Sequence, residues 1–387
     1  MVQKYRYKQR TGSNLRNLDN PKLLTEGLMG DYFGLNARIE KCLASAKRSY
    51  GICKYAEAGD LYRKAALELA IYCGIMHGEC TREAERALEI YAFAEESYVK
   101  RLKLLEQGQN AGFDTKKSAE MPKIKGKLAE TYREMGELRI TTNQNIGEAL
   151  ALLEKAGTLY LEARRYGDAA KNLTSLAQLQ CMVGNCENAL ESYKRAFASY
   201  LRGGDYWDAK NVMGNAVGMA EKYLKDKEIQ LCGWALEECE KAMGKECELQ
   251  KKADALSCMG WIENVRGMSE RCVGNEASAL ESYARALKHY AGALGCHFKA
   301  AEKDLDSGKF YPAILAHKNA FKLYEEDIKK VIANVGDCPE SEEIRAILRG
   351  EAKKLSAREY RALNQEIGPI AKKLLDAAGN LGKMAET

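Results

Sequence analysis

Small and large apolar residues return along this chain at one fixed interval: an alanine, a large side chain four positions on, and another alanine three after that. The copies are Ala58, Tyr62, Ala65; Ala149, Leu153, Ala156; Ala189, Tyr193, Ala196; Ala209, Met213, Ala216; Ala279, Tyr283, Ala286; and Ala313, His317, Ala320. Steps of four and three place all three side chains on one face of an α-helix. The alanines let a second helix backbone approach closely, and the large residue fills the gap toward the next helix pair. Several copies follow a further small/large pair and a glycine upstream, as in Leu176, Ala177 and Gly184. The pattern predicts helices over 148–164, 168–183, 186–202, 206–223, 228–243, 248–267 and 276–293, an irregular stretch from Ser269 to Asn275, and a hairpin over 297–335. Breaks fall at Tyr166-Gly167, Gly184-Asn185, Gly203-Gly204 and Gly244, where glycine or asparagine accepts the left-handed backbone that stops a helix. Upstream, Ile39, Cys42, Leu43 and Ala46 share one helical face. A partner helix runs from Tyr55 to about Ile75, and another carries Ala84, Ala87, Leu88, Tyr91, Ala94 and Tyr98. A further helix over 121–138 is expected to end near Gly136.

One helical hairpin per repeat with alanine seams resembles the tetratricopeptide type. The fold expected is all-α: a TPR-like right-handed helical solenoid of antiparallel hairpins with a C-terminal helical cap. The domain plan is a flexible basic N-terminal arm at 1–27, a solenoid at 28–335, and a C-terminal bundle and tail at 336–387. Within the solenoid, an apolar loop is expected at 28–36 and an insertion at about 107–125. Long stretches without proline, rich in Ala, Leu, Glu and Lys, favour helix throughout.

The 387 residues carry 46% hydrophobic and 30% charged side chains, enough for a core and a solvated surface. A net charge of +5 is mild; it permits an acidic partner without requiring nucleic acid. No run approaches the roughly 18 apolar residues of a membrane span. The start of the chain, with Lys4, Arg6, Lys8 and Arg10, lacks the apolar core of a secretory signal. Thirteen scattered cysteines in such a chain read as reduced thiols of the cytosol.

Candidate chemistry is sparse. Cys73, His77 and Cys80 have the spacing of an incomplete zinc site, with no second ligand pair nearby. Cys181 and Cys186 flank a turn and are expected to pack. Cys296-His297 could form a nucleophile and base, but neighbours on a helix point apart and nothing orients the pair. No phosphate-binding loop, H-E-x-x-H or G-x-S-x-G is present. The expectation is a protein that is not an enzyme and uses no metal or cofactor. Tyr5 and Tyr7 among basic residues could stack on single-stranded bases, yet a solubilising arm is the preferred reading and no nucleic acid is expected. Leu28, Met29, Tyr32, Phe33 and Leu35 either tuck beneath the first hairpin or insert shallowly in a bilayer.

Three segments resemble the soluble NSF attachment proteins (SNAPs). They are residues 28–70, an aromatic and glycine loop followed by RIEKC and KYAEAGDLYRKAALELA; residues 148–200, EALALLEKAGTLYLEARRYGDAAKNLTSLAQLQ through ENALESYKRAFASYL; and the C-terminal helical cap. The resemblance implies an adaptor in vesicle fusion, cytoplasmic and peripherally membrane-associated, that binds a four-helix SNARE bundle and recruits a hexameric AAA ATPase (NSF-like). It implies a SNARE-binding basic face at Arg165, Lys171 and Lys210, membrane contact through the 28–35 loop, and ATPase contact through Leu374 and Leu375. The family's acidic tail is missing: Lys372 and Lys373 precede those leucines. A general TPR-type protein-interaction scaffold unrelated to SNAREs is the alternative.

Overall fold

The computed structural model describes residues 21–75, 81–109, 115–224, 227–244, 246, 248–335, 338–357, 372 and 376. They form thirteen helices and, among the described residues, no strand. In order these are α1 (Pro21–Gly51), α2 (Tyr55–Ile75), α3 (Thr81–Gln109), α4 (Thr115–Thr141), α5 (Ile146–Glu162), α6 (Tyr166–Met182) and α7 (Cys186–Gly203). They continue as α8 (Tyr206–Tyr223), α9 (Lys227–Met243), α10 (Leu249–Cys272), α11 (Glu276–Asp306), α12 and α13 (Pro339–Ala357). Helix α12 comprises Phe310–Leu323, a π-helical turn at Tyr324–Ile328, and Lys329–Val335. Consecutive helices pack as antiparallel pairs. The chain divides into two compact units at Ala163/Arg164, inside the stretch read from sequence as one array.

One local device builds most of the turns. A residue in left-handed conformation closes a helix, and the next residue opens the following one by accepting the N–H of an alanine four positions on. The left-handed residues are Cys53, Arg164, Gly184, Gly204, Gly274 and Gly308. The alanines are Ala58, Ala169, Ala189, Ala209, Ala279 and Ala313, bonded at 2.9–3.4 Å. Thus the first alanine of most copies of the sequence pattern also marks the first closed turn of a helix. The device recurs at a spacing that escaped the sequence reading: Val183-Gly184-Asn185 and Val273-Gly274-Asn275 each lead into an Ala-Leu-Glu-Ser-Tyr helix. The serines repeat as well. Ser192 donates to Gln180 and Ser282 to Glu270, each at 2.7 Å, tying a helix to the one before it.

In the first unit, α2 packs on α3 and α4. Gly59 of α2 lies beneath the Tyr98 ring of α3; a Cβ there would stand 2.6 Å from a ring carbon. The Tyr98 hydroxyl donates to Asp60 at 2.7 Å. Arg63 reaches across to α4, where both oxygens of Glu134 accept from it at 2.9 and 2.6 Å, and it also pairs with Glu130. In the second unit, the α10–α11 seam uses the same ring-on-glycine contact twice. Tyr290 lies against Gly260 and Tyr283 against Gly267, a Cβ at either glycine falling 2.8 Å from the ring. His317 fills the large slot of the last repeat because it has a polar job. Its Nδ1–H donates to the Ala313 carbonyl at 2.9 Å, and its Nε2 lies 3.1 Å from the Glu351 carboxyl of α13.

Several sequence expectations change. The apolar loop at 28–36 is helical backbone within α1, which also takes in 21–27 of the expected arm. Leu28, Tyr32, Leu35 and Ile39 follow helical spacing, and that periodicity overrides two helix-weakening glycines. The insertion at 107–125 is largely helix as well, since α3 reaches Gln109 and α4 starts at Thr115 despite Pro122. Gly136 does not end α4; it admits Leu153 of α5, 3.2 Å from where its Cβ would be. The irregular stretch at 269–275 shrinks to a tight turn, because α10 runs to Cys272. Helix α11 is unbroken through Gly292 and Gly295 to Asp306. Residues 1–20 and most of the tail beyond 357 lie outside the described residues.

The glycines now sort into two kinds. Gly267→Ala should destabilise the second unit by about 1–2 kcal/mol, because overpacking outweighs the helix-propensity gain. Gly218→Ala, in α8 with nothing within 4 Å of the new Cβ, should stabilise it by about 0.5–1 kcal/mol. Urea unfolding followed by tryptophan fluorescence checks both, since all three tryptophans lie in this unit. Equal effects of the two substitutions would contradict the seam.

Candidate functional site

A groove of about 250 Å³ opens in the second unit between α8, α10, α11 and α12. Its rim begins where α8 does. Tyr206 and Trp207 are neighbours about 100° apart on the helix, so one ring turns inward and the other outward. Tyr206 is buried, and burial pushes its hydroxyl up to about 12. Trp207 is 57% exposed. Lys210, one turn on, lies over the Trp207 ring at 5.7 Å and over the Trp261 ring of α10 at 5.8 Å. Lys322 of α12 lies over Trp207 at 4.9 Å. Ammonium groups collect there because the indole face is electronegative.

The acids come from two helices. Asp327 sits in the π-helical turn of α12 and pairs with Lys210 at 2.7 Å, across 117 residues of sequence, both side chains 15% exposed. A π turn takes one more residue than an α turn and re-aims the side chains that follow, a distortion common at functional sites. Glu326 lies 3.8 Å from Lys322. Asp254 of α10 differs: among the described residues it has no ion-pair partner, only the Gln250 amide donating at 3.4 Å. Burial raises its carboxyl to about 6; the Gln250 hydrogen bond lowers it slightly and the Glu248 charge raises it. The other end of Gln250 faces His297 of α11, whose Nδ1 lies 3.3 Å from the amide oxygen. That oxygen only accepts, so the imidazole proton sits on Nδ1. Burial holds His297 down at about 4, so it is neutral near pH 7. Beneath them Cys258 touches Cys239 of α9, Sγ to Sγ 3.9 Å; that hydrogen bond and burial keep the Cys239 thiol well above its ordinary range.

Of the residues expected from sequence, Lys210 lines this groove, with its ammonium held by Asp327. Arg165 and Lys171 do not line it. Arg165 precedes α6 and binds Asp168 at 2.7 Å. Lys171 is exposed on α6 and opposes the burial-driven rise of the Asp208 carboxyl. Leu35 is buried in the first unit; the side chains of Leu28, Met29, Tyr32 and Phe33 lie outside the described residues. So do His77, Cys80, Leu374 and Leu375, while Cys73 is buried on α2. His297 faces the groove and its neighbour Cys296 does not line it. Trp207, Asp254, Asn319 and Lys322 went unnoticed in the sequence. A paired Tyr-Trp at a helix start was the available signal, since both rings cannot face one core.

No protein-family description matches the chain, and no curated protein matches it by sequence. Among solved structures the chain is similar to a circular tandem repeat protein with novel repeat topology and enhanced subunit contact surfaces. It is 12% identical to that protein over 90% of each chain, with a TM-score of 0.36. It is also similar to BtubC (BKLC) from P. vanneervenii, 17% identical over 65% of this chain and 90% of that one, with a TM-score of 0.27. Likenesses of this size leave the fold to rest on the helix pairing described above. No described helix is long and apolar enough to cross a membrane.

Asp254 and His297 set opposing pH dependences of stability. The raised Asp254 carboxyl binds its proton more tightly when folded, so its contribution is present below 3.8 and lost as pH rises through about 6. The lowered His297 does the reverse: its contribution is present above 6.5 and lost as pH falls through about 4. Asp254→Asn should therefore be more stable than the parent at pH 7, by about 1–2 kcal/mol after allowing for solvent screening. It should also lose stability more steeply between pH 6.5 and 4. His297→Gln should show the opposite change of slope. Urea midpoints across this range test it, and parallel profiles would sink the assignment.

Proposed function

We propose that this chain is a non-catalytic helical-repeat scaffold that binds a segment of another protein. The supporting observation is the groove: four helices of one unit wall a space wide enough for side chains, with an exposed tryptophan at its mouth. Tryptophan is enriched among residues that anchor partners, because it offers large contact area at low entropic cost. The polar groups below it are bonded to one another, as Lys210 is to Asp327 and Gln250 to His297, which suits a fixed recognition surface.

The narrower reading, an adaptor joining SNARE bundles to an AAA ATPase, needs Arg165, Lys171 and Lys210 as available cations. Two of the three carry carboxylate partners within 2.7 Å. The general scaffold is therefore the reading advanced.

Selection of an unbiased displayed peptide library on the full chain tests it. Peptides are expected whose binding falls at least tenfold on Trp207→Ala, a change at an exposed position that leaves the thermal melt intact. If every selected peptide binds the variant as well as the parent, the groove is not the scaffold's binding surface.

A further inference from the structure

Resting on that scaffold reading, we infer that the groove takes the lysine or arginine side chain of an extended partner segment, with Asp254 as counter-charge and Trp207 as the wall for the aliphatic stem. Charge complementarity carries the choice. Five charged side chains line the groove: Lys210, Lys322, Asp254, Glu326 and Asp327. Lys210 and Asp327 neutralise each other at 2.7 Å, and Lys322 has Glu326 at 3.8 Å. One carboxylate, Asp254, is left over, and it is partly buried. An acidic ligand would meet this uncompensated charge; an apolar one would offer it no partner and force it to take up a proton. A cation supplies what the groove lacks. The indole at the mouth already draws two ammonium groups to its ring and still leaves 57% of itself exposed. A long stem ending in a cation matches that order, apolar outside and acidic within. The space of about 250 Å³ holds such a side chain and is too small for a helix.

Binding of this kind is coupled to the Asp254 proton. The groups around it are Tyr206 and Lys210 from α8, His297 from α11, Lys322, Glu326 and Asp327 from α12, Cys258 from α10 itself and Glu248 just before it. His297 at about 4 and Tyr206 at about 12 stay neutral from pH 5 to 7.5. Over that range Asp254 passes from mostly protonated to mostly ionised.

The test uses the full chain and the groove-dependent peptides of the library, together with Ac-Ala-Ala-Lys-Ala-Ala-NH2 and its glutamate and norleucine counterparts, titrated by tryptophan fluorescence. The expected result is enrichment of Lys or Arg in the groove-dependent peptides and preference for the lysine probe. Affinity should weaken about tenfold from pH 7.5 to 5. Asp254→Asn should weaken binding at pH 7.5 about tenfold and abolish the pH dependence. Groove-dependent peptides without a basic residue, or binding unaltered by Asp254→Asn, would overturn the cation inference and leave the scaffold standing. Absence of groove-dependent peptides would instead overturn the groove as the scaffold's binding surface.

Discussion

Close approach of helix backbones is the constraint on which the rest of this protein depends. An alanine or glycine at each crossing sets the distance, and a large ring laid over the gap fills the volume. The α10–α11 seam shows how little slack remains: Tyr283 and Tyr290 rest where a methyl group on Gly267 or Gly260 would stand. Packing at this density transmits small changes rather than absorbing them. The same two helices wall the groove. Asp254, Cys258 and Trp261 belong to the helix that carries those two glycines, and His297 to the helix that carries the two rings.

Much of the architecture was legible because the same residues serve two purposes. The first alanine of a repeat lies at the helix crossing and also closes the first turn, so periodicity alone located most helices of the second unit to within a few residues. Glycine was the ambiguous letter. Gly184 and Gly274 end helices in left-handed backbone, whereas Gly136 and Gly267 lie inside helices because a neighbour needs the room. Both kinds look alike in a string. The stretch around Tyr32 misled for the same reason, its glycines reading as a loop although its apolar spacing was helical.

The groove was harder to see, and the cause is distance along the chain. Lys210 and Asp327 stand 117 residues apart. Neither has a pattern around it that announces the other. The SNAP resemblance singled out Lys210 as a basic surface residue, and the fold uses it as a half-buried partner. Asp254 gave no sign at all, since an acid on an amphipathic helix is ordinarily solvated. Its burial comes from the convergence of four helices, which no local window contains. The result is a site in which one ionisable group opposes folding at neutral pH.

The π-helical turn in α12 has a genetic corollary. Such a turn is what an ordinary helix becomes when it takes in a single codon's worth of extra chain. Here the added residue falls where the Lys329 N–H reaches back to the Tyr324 carbonyl, beside Asp327. Losing that one codon would wind the segment back into regular helix and leave the turns on either side in their present register. In related chains, a three-base gap opposite residues 324–328 would therefore be tolerated by the rest of α12 and would alter the chain only beside Asp327.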